Sequence, residues 1–157
     1  MKTAVVFYTL DGNCAIVAQE IKSILNADLI QLHTDNEKKR KGIVKFFWAC
    51  GMMFKKKPKL KPYSFDPSAY DLIIIGAPVW AGAPASPIKT FIANTSITSK
   101  KIALFVCHAG GSGNSIKIFK TMLSGNEFIA EIEFKDPSKN NIEEIKQQIA
   151  DWVKGFK

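Results

Sequence analysis

TAVVFYTLDGNC, residues Thr3 to Cys14, is the stretch from which the fold can be read. Ala4, Val5, Val6, Phe7 and Tyr8 form an apolar run rich in β-branched and aromatic side chains, which predicts a strand buried on both faces. Thr9 to Cys14 then interrupts it with turn-forming residues. Beyond the turn the apolar positions change period: Ile16, Val17, Ile21, Ile24 and Leu25 keep a helical stripe. A strand that feeds a helix through a short loop bearing a hydroxyl and a glycine has a physical use. Backbone N–H groups of the loop and the helix N-terminus converge on one spot, and that spot favours an anion. The loop is therefore predicted to be a phosphate cradle.

The same alternation recurs down the chain. Leu29 to Leu32 is a short apolar strand, and Asn26 before it is an ordinary helix stop. Asp71 to Gly76 is an apolar strand that leads into the Pro/Gly loop Ala77 to Pro84, which carries Trp80. Pro87 suits the first turn of a helix that continues through Phe91 and Ile92. Lys101 to Cys107 is a further buried strand, followed by the Gly-rich loop His108 to Asn114. A helix through Ile116, Phe119 and Met122 comes next. Phe128, Ala130, Ile132 and Phe134 alternate as in an edge strand. A last helix restarts at Asp136-Pro137-Ser138 and carries Ile142, Ile145, Ile149, Trp152 and Val153.

Strands alternating with helices imply an α/β fold with a parallel sheet covered on both sides. Ligands of such sheets bind beyond the carboxyl ends of the strands. The loops 9–14, 77–84 and 107–114 all follow strands, so all three are expected on one rim.

With 157 residues and 46% hydrophobic composition, the chain is expected to form a single domain spanning 1–157. Its three cysteines, Cys14, Cys50 and Cys107, have no Cys-x-x-Cys spacing, which points away from a zinc site or a disulfide framework. The start of the chain carries no signal-peptide pattern, and no apolar run reaches the roughly 18–20 residues of a membrane span. A cytoplasmic protein is expected. The net charge is +8, yet Arg40 is the only arginine among 22 basic residues. Bidentate base contacts prefer arginine, so specific nucleic-acid binding is not expected; diffuse attraction to acidic proteins or anionic lipid is.

An insert from about residue 34 to 65 separates the second and third strands. Its centre, GIVKFFWACGMMF (residues 42–54), is apolar almost all round, and Lys55 to Pro62 is basic and proline-broken. Residues 42–61 are compatible with a helix packed on the domain or on another subunit. The alternative is a docking element, either at a membrane surface or against an acidic redox partner.

These residues are recognisable together. The chain resembles the short-chain flavodoxins and flavodoxin-like FMN-binding proteins over its whole length. Tyr8-Thr9-Leu10-Asp11-Gly12-Asn13-Cys14 is similar to that family's phosphate loop, and Gly76 to Gly82 to the loop that lays an aromatic over the flavin ring. Cys107 to Gly113 occupies the position of the second flavin loop. The resemblance implies a three-layer, doubly wound sandwich whose five parallel strands stand in the order 2-1-3-4-5. It implies FMN, with the phosphate held by Thr9, Gly12, Asn13 and Cys14 and by the backbone of Leu10 and Asp11. The ring would lie between Pro78, Val79, Trp80, Ala81 and Gly82 on one side and His108, Ala109, Gly110, Gly111 and Gly113 on the other. The implied function is electron transfer between redox partners; the alternatives are an FMN-dependent NAD(P)H or quinone reductase, and a relative with weak or lost FMN binding.

Two departures carry consequences. Asp11 and Cys14 stand where the family has threonines, which removes two hydroxyl donors and adds a carboxylate beside the expected phosphate. The second loop lacks the family's acidic residues, which predicts a less negative second reduction potential than in acidic flavodoxins. Two other activities of this topology are excluded by position: neither Cys14 nor Cys107 begins a Cys-x5-Arg phosphate loop, and Asp11 has no acidic partner of a phosphoacceptor site.

Overall fold

Every residue of Thr3–Tyr8 is buried, and this strand, β1, is paired along both edges. The computed structural model of the protein describes residues 1–35 and 57–156. After β1 come α1 (Asn13–Leu25), β2 (Asp28–Leu32), β3 (Leu72–Trp80), the two-residue β4 (Ala83–Pro84) and α2 (Ser86–Asn94). They are followed by β5 (Lys101–His108), α3 (Ser115–Met122), β6 (Glu127–Lys135) and α4 (Ile142–Lys154). Single 3-10 turns occupy Pro67–Ala69 and Pro137–Lys139.

Five strands are parallel and stand in the order β2-β1-β3-β5-β6, which is the expected order; β4 is an additional, antiparallel partner of β3. The pleat of β1 divides the core. Val5 and Phe7 face one side with Ile74 and Phe105, where they meet Val17, Ala18 and Ile21 of α1 and Ile145 and Ile149 of α4. Val6 and Tyr8 face the other side with Ile73 and Ile75, where they meet Ile88 and Phe91 of α2 and Phe119 of α3. Alternate side chains of a strand point to opposite faces, so a strand apolar throughout requires helices on both. α1 ends as expected: Asn26 takes the left-handed conformation (φ 50°), which asparagine reaches more readily than most residues.

Four details depart from the sequence reading. β3 does not stop at Gly76 but runs on to Trp80. Ala81 (φ 48°) and Gly82 (φ 74°) then turn the chain back into β4, and two successive positive φ values are the geometry that a twisted two-residue hairpin requires. In β6, pairing shifts between Ile102↔Phe128 and Ala103↔Ala130, leaving Ile129 as an extra residue. This bulge turns Phe128 onto the α2/α3 face while Ala130, Ile132 and Phe134 pack on the α1/α4 face, so the four do not share one side. The last helix begins later than expected, at Ile142, where Asn141 Oδ1 caps it by accepting from Glu143 N–H at 3.1 Å. Ile24, counted in the α1 stripe, is exposed.

The insert's apolar centre, 42–54, lies outside the described residues. Its described remainder has no helix: Leu60 bridges to Thr34, while Tyr63 and Phe65 pack edge-on against Phe91 of α2. Among the described residues, no helix is long and apolar enough to cross a membrane.

Candidate functional site

Strand register sets the rim. Phe7 lies beside Gly76, Pro78 beside Cys107, and His108 beside Lys135, so the carboxyl ends of β1, β3, β5 and β6 are level with one another. The chain leaves β1 through Thr9 to Gly12 and enters α1. Gly12 caps that helix at φ 90°, a conformation that costs glycine nothing because it has no Cβ. Its N–H donates to Thr9 Oγ1 at 3.0 Å and closes the turn. The first helical bond runs from Ile16 N–H to Gly12 O, at 3.1 Å. The N–H groups of Asn13, Cys14 and Ala15 thus precede any intrahelical acceptor, and they carry the positive end of the helix dipole.

A cleft of about 140 Å³ opens beside these groups. Leu10, Asp11 and Asn13 line it from the first loop, and Pro78, Val79 and Trp80 from the end of β3. Cys107, His108 and Ala109 line it from the end of β5. The three stretches predicted from sequence therefore converge on one cavity. Trp80 is half-buried and held by Tyr8, whose ring meets it edge-on at 5.8 Å between centroids and 88° between planes.

The remaining predicted residues are near but play other parts. Thr9 orders the turn rather than lining the cleft. Cys14 is wholly buried and its side chain does not line the cleft. Burial, then the hydrogen bond to the Cys107 thiol, pushes the Cys14 thiol well above its ordinary range. Ala81 borders a separate recess with Ser86 and Lys89 behind Trp80. Gly82 O accepts the N–H of Asn114 at 2.8 Å, and Gly113 lies against Gly82, so these two glycines join the loops to each other. Gly110 and Gly111 are exposed, and Gly111 N–H donates to His108 Nδ1 at 2.8 Å. A nitrogen that accepts carries no proton, so the neutral ring holds its hydrogen at Nε2, which lies 3.9 Å from Glu133 Oε1. His108 is a post for the glycine loop.

Sequence reasoning missed two contributors. Asp136 lines the cleft from the end of β6, with φ 38° and its N–H donated to His108 O at 2.8 Å. Ser138 N–H donates to Asn13 Oδ1 at 2.8 Å, which ties the first loop to the turn after β6 and leaves the Asn13 NH₂ for the cleft. Neither residue carries a local signal, because 125 residues separate Asn13 from Ser138. Asp136 thus adds a carboxylate at a rim whose second loop has none, 3.6 Å from Lys139 Nζ.

Solved structures share this fold. The flavoprotein of Lactobacillus acidophilus, crystallised in complex with FMN, superposes with a TM-score of 0.72 at 25% identity, covering 97% of this chain and 98% of that one. Oxidised flavodoxin 1 of Bacillus cereus gives 0.59 at 18% identity, covering 98% of both chains. The flavodoxin, WrbA-like protein of Agrobacterium tumefaciens gives 0.64 at 16%, covering 98% and 93%. No curated protein sequence matches this one. The sequence model of the flavodoxins matches residues 2–156, and on that match over nearly the whole chain the protein belongs to the flavodoxin family.

Proposed function

We propose that the chain binds FMN in the cleft between the Thr9–Cys14 turn and Trp80 and passes electrons between protein partners. One observation carries the reading: the uncapped N-terminus of α1 and the indole of Trp80 open onto the same cavity. The amides of Asn13, Cys14 and Ala15, with the Asn13 NH₂, would hold the phosphate, and Thr9 would keep the turn that presents them. A set of neutral donors is a sufficient anion seat when a helix dipole stands behind it. Trp80 would cover one face of the ring, and the 107–109 backbone would border its polar edge. Bound FMN supplies the chemistry, accepting and returning one or two electrons; the protein's part is to hold it and set its surroundings. The L. acidophilus relative, crystallised with FMN, supports the choice of cofactor. The net charge of +8 favours an acidic redox partner.

Asp11 is the group that opposes this ligand, since its exposed carboxylate stands at the lip of the cleft. Asp136 is offset by Lys139. The expected result is an FMN affinity below that of a loop with threonine at position 11, not a loss of binding.

A second reading, an FMN-dependent NAD(P)H or quinone reductase, is favoured by the exposure of Ala109, Gly110 and Gly111, three small residues at that side of the cleft. Titration of the apoprotein with FMN, followed by NADPH and quinone turnover, tests both. Binding without turnover supports the carrier; binding with turnover supports the reductase; absence of binding overturns both.

A further inference from the structure

Between Asp71 and Glu127 the chain holds no aspartate or glutamate, while Lys89, Lys100, Lys101, Lys117 and Lys120 all fall within that stretch. The stretch supplies α2, α3 and the hairpin that carries Trp80. Lys100 and Lys101 stand at the amino end of β5, away from the cleft, and Lys120 is paired with Glu131. Lys89 and Lys117 remain, and among the described residues neither has an ion-pair partner. Both lie near the start of their helices, and neither helix has an acidic residue in its first turn. A cation there opposes the helix dipole, which favours an anion at that end. α4 shows the ordinary arrangement, with Glu143 and Glu144 in its first turn and Asn141 as cap. A lysine that neither helps its own helix nor neutralises a carboxylate of its own chain is placed to meet a charge from outside.

The surface around these lysines is shaped. A recess of about 160 Å³ is lined by Trp80, Ala81, Pro84 and Lys89. A second, of about 320 Å³, is lined by Asn114, Lys117, Ile118, Thr121 and Met122. The hairpin tip joins the two, because Gly82 O accepts the N–H of Asn114 at 2.8 Å. Trp80 lines both the first recess and the cleft. A molecule seated in that recess therefore touches the same indole that borders the cleft.

We propose that the α2/α3 rim, centred on the hairpin tip Ala81-Gly82 and flanked by Lys89 and Lys117, is the surface on which an acidic redox protein docks. The proposal rests on the reading of the chain as an electron carrier and gives the partner of that reading a place. Two ammonium groups without a partner on the chain attract a carboxylate patch and set its register, contributing more to encounter and orientation than to affinity. Exposed Ala81 and half-buried Ile118 and Met122 offer apolar contact beside them. α4 suits such a partner less, since Glu143, Glu144 and Asp151 stand among its lysines. With Trp80 at the centre, a docked partner keeps the path for an electron short.

The test uses the full chain, isotopically labelled, and a plant-type [2Fe–2S] ferredoxin as the acidic redox protein. The chain is titrated with it at low ionic strength, with and without FMN, and amide shifts are followed by NMR. Shifts are expected in 81–90 and 113–122 and not in α1 or α4. K89E/K117E should weaken binding about tenfold. K146E/K154E, which removes the same charge from α4, should weaken it by less than about twofold. Because glutamate suits a first turn, K89E/K117E should unfold at no lower temperature than the original chain and should still take up FMN. Should it fail to fold, K89Q/K117Q makes the same comparison. Shifts centred on α1 or α4, or equal effects of the two double variants, would overturn the proposal. So would absence of binding to the ferredoxin; binding to phosphatidylglycerol vesicles in its place would make this a lipid-facing surface. Flavin absorbance of the same samples is read separately: a chain that takes up no FMN overturns the carrier reading, whereas misplaced shifts in a chain that does take it up overturn the surface alone.

Discussion

Gly113 and Gly82 touch through their backbones: a Cβ on Gly113 would stand 2.5 Å from Gly82 Cα and 2.8 Å from its carbonyl oxygen. Asn114 N–H donates to that same oxygen at 2.8 Å. The hairpin that carries Trp80 and the loop that follows β5 therefore brace each other, and the width of the cleft between β3 and β5 is fixed at this joint. Gly113 also has φ 55°, which an added side chain would strain.

G113A is accordingly expected to lower the free energy of unfolding by about 1–3 kcal/mol and to weaken FMN binding with it. G110A, at a glycine with open space around it and no left-handed backbone, is expected to change stability by less than about 0.5 kcal/mol. Urea denaturation of the two variants checks the contrast; equal effects would mean that the joint does not matter.

Asp11 sets the electrostatics of the lip. D11T removes one negative charge beside the expected phosphate, and FMN affinity should rise severalfold at low ionic strength. The gain should shrink with added salt, because an exposed charge is screened over about 10 Å at 0.1 M. Isothermal titration at two salt concentrations measures both. An affinity that falls on this change would place the phosphate elsewhere.

Asn13 acts on the phosphate loop from within. N13A breaks the bond to Ser138 N–H and removes the NH₂ group from the cleft. FMN affinity should fall about tenfold, from the loss of one or two hydrogen bonds at about 0.5–1.5 kcal/mol each. Riboflavin, which has no phosphate, should lose much less. Parallel titrations with the two flavins give the comparison.

Trp80 offers the largest aromatic surface in the cleft among the described residues. W80A should cut FMN affinity by tenfold or more, the stacking of an aromatic pair contributing about 0.5–1.5 kcal/mol beyond the buried area. Loss of the contact with Tyr8 should lower stability as well. W80F, which keeps a ring, should recover most of both. Flavin absorbance titration and thermal unfolding separate the two effects.

His108 holds its loop through an acceptor nitrogen, which receives the Gly111 N–H at 2.8 Å. H108A removes the acceptor, and FMN affinity should fall severalfold, from the loss of one hydrogen bond at about 0.5–1.5 kcal/mol. Flavin absorbance titration of the two proteins checks this; an unchanged affinity would mean that the loop holds its place without the ring.

Much of this was legible in the chain because a parallel β/α arrangement leaves little freedom. Each loop after a parallel strand emerges on the same edge of the sheet, so the turn after Tyr8, the Trp80 segment and the His108 loop had to share a rim once their strands were recognised. The apolar run of β1 likewise required helices on both faces. The hydrophobic periods and the Thr9-to-Cys14 turn thus determined the layers and the rim on which the cleft opens; the strand order was implied by the family resemblance.

Tertiary structure alone decided the rest. The bulge at Ile129, the extension of β3 to Trp80, the arrival of Asp136 at the cleft and the bond from Ser138 N–H to Asn13 Oδ1 all depend on pairing register and packing between distant segments. A residue type constrains its neighbours three or four positions away; which amide it meets 125 positions later is set by how α1 settles beside the turn after β6. Local chemistry drew the site's outline, and long-range packing chose which side chains face into it.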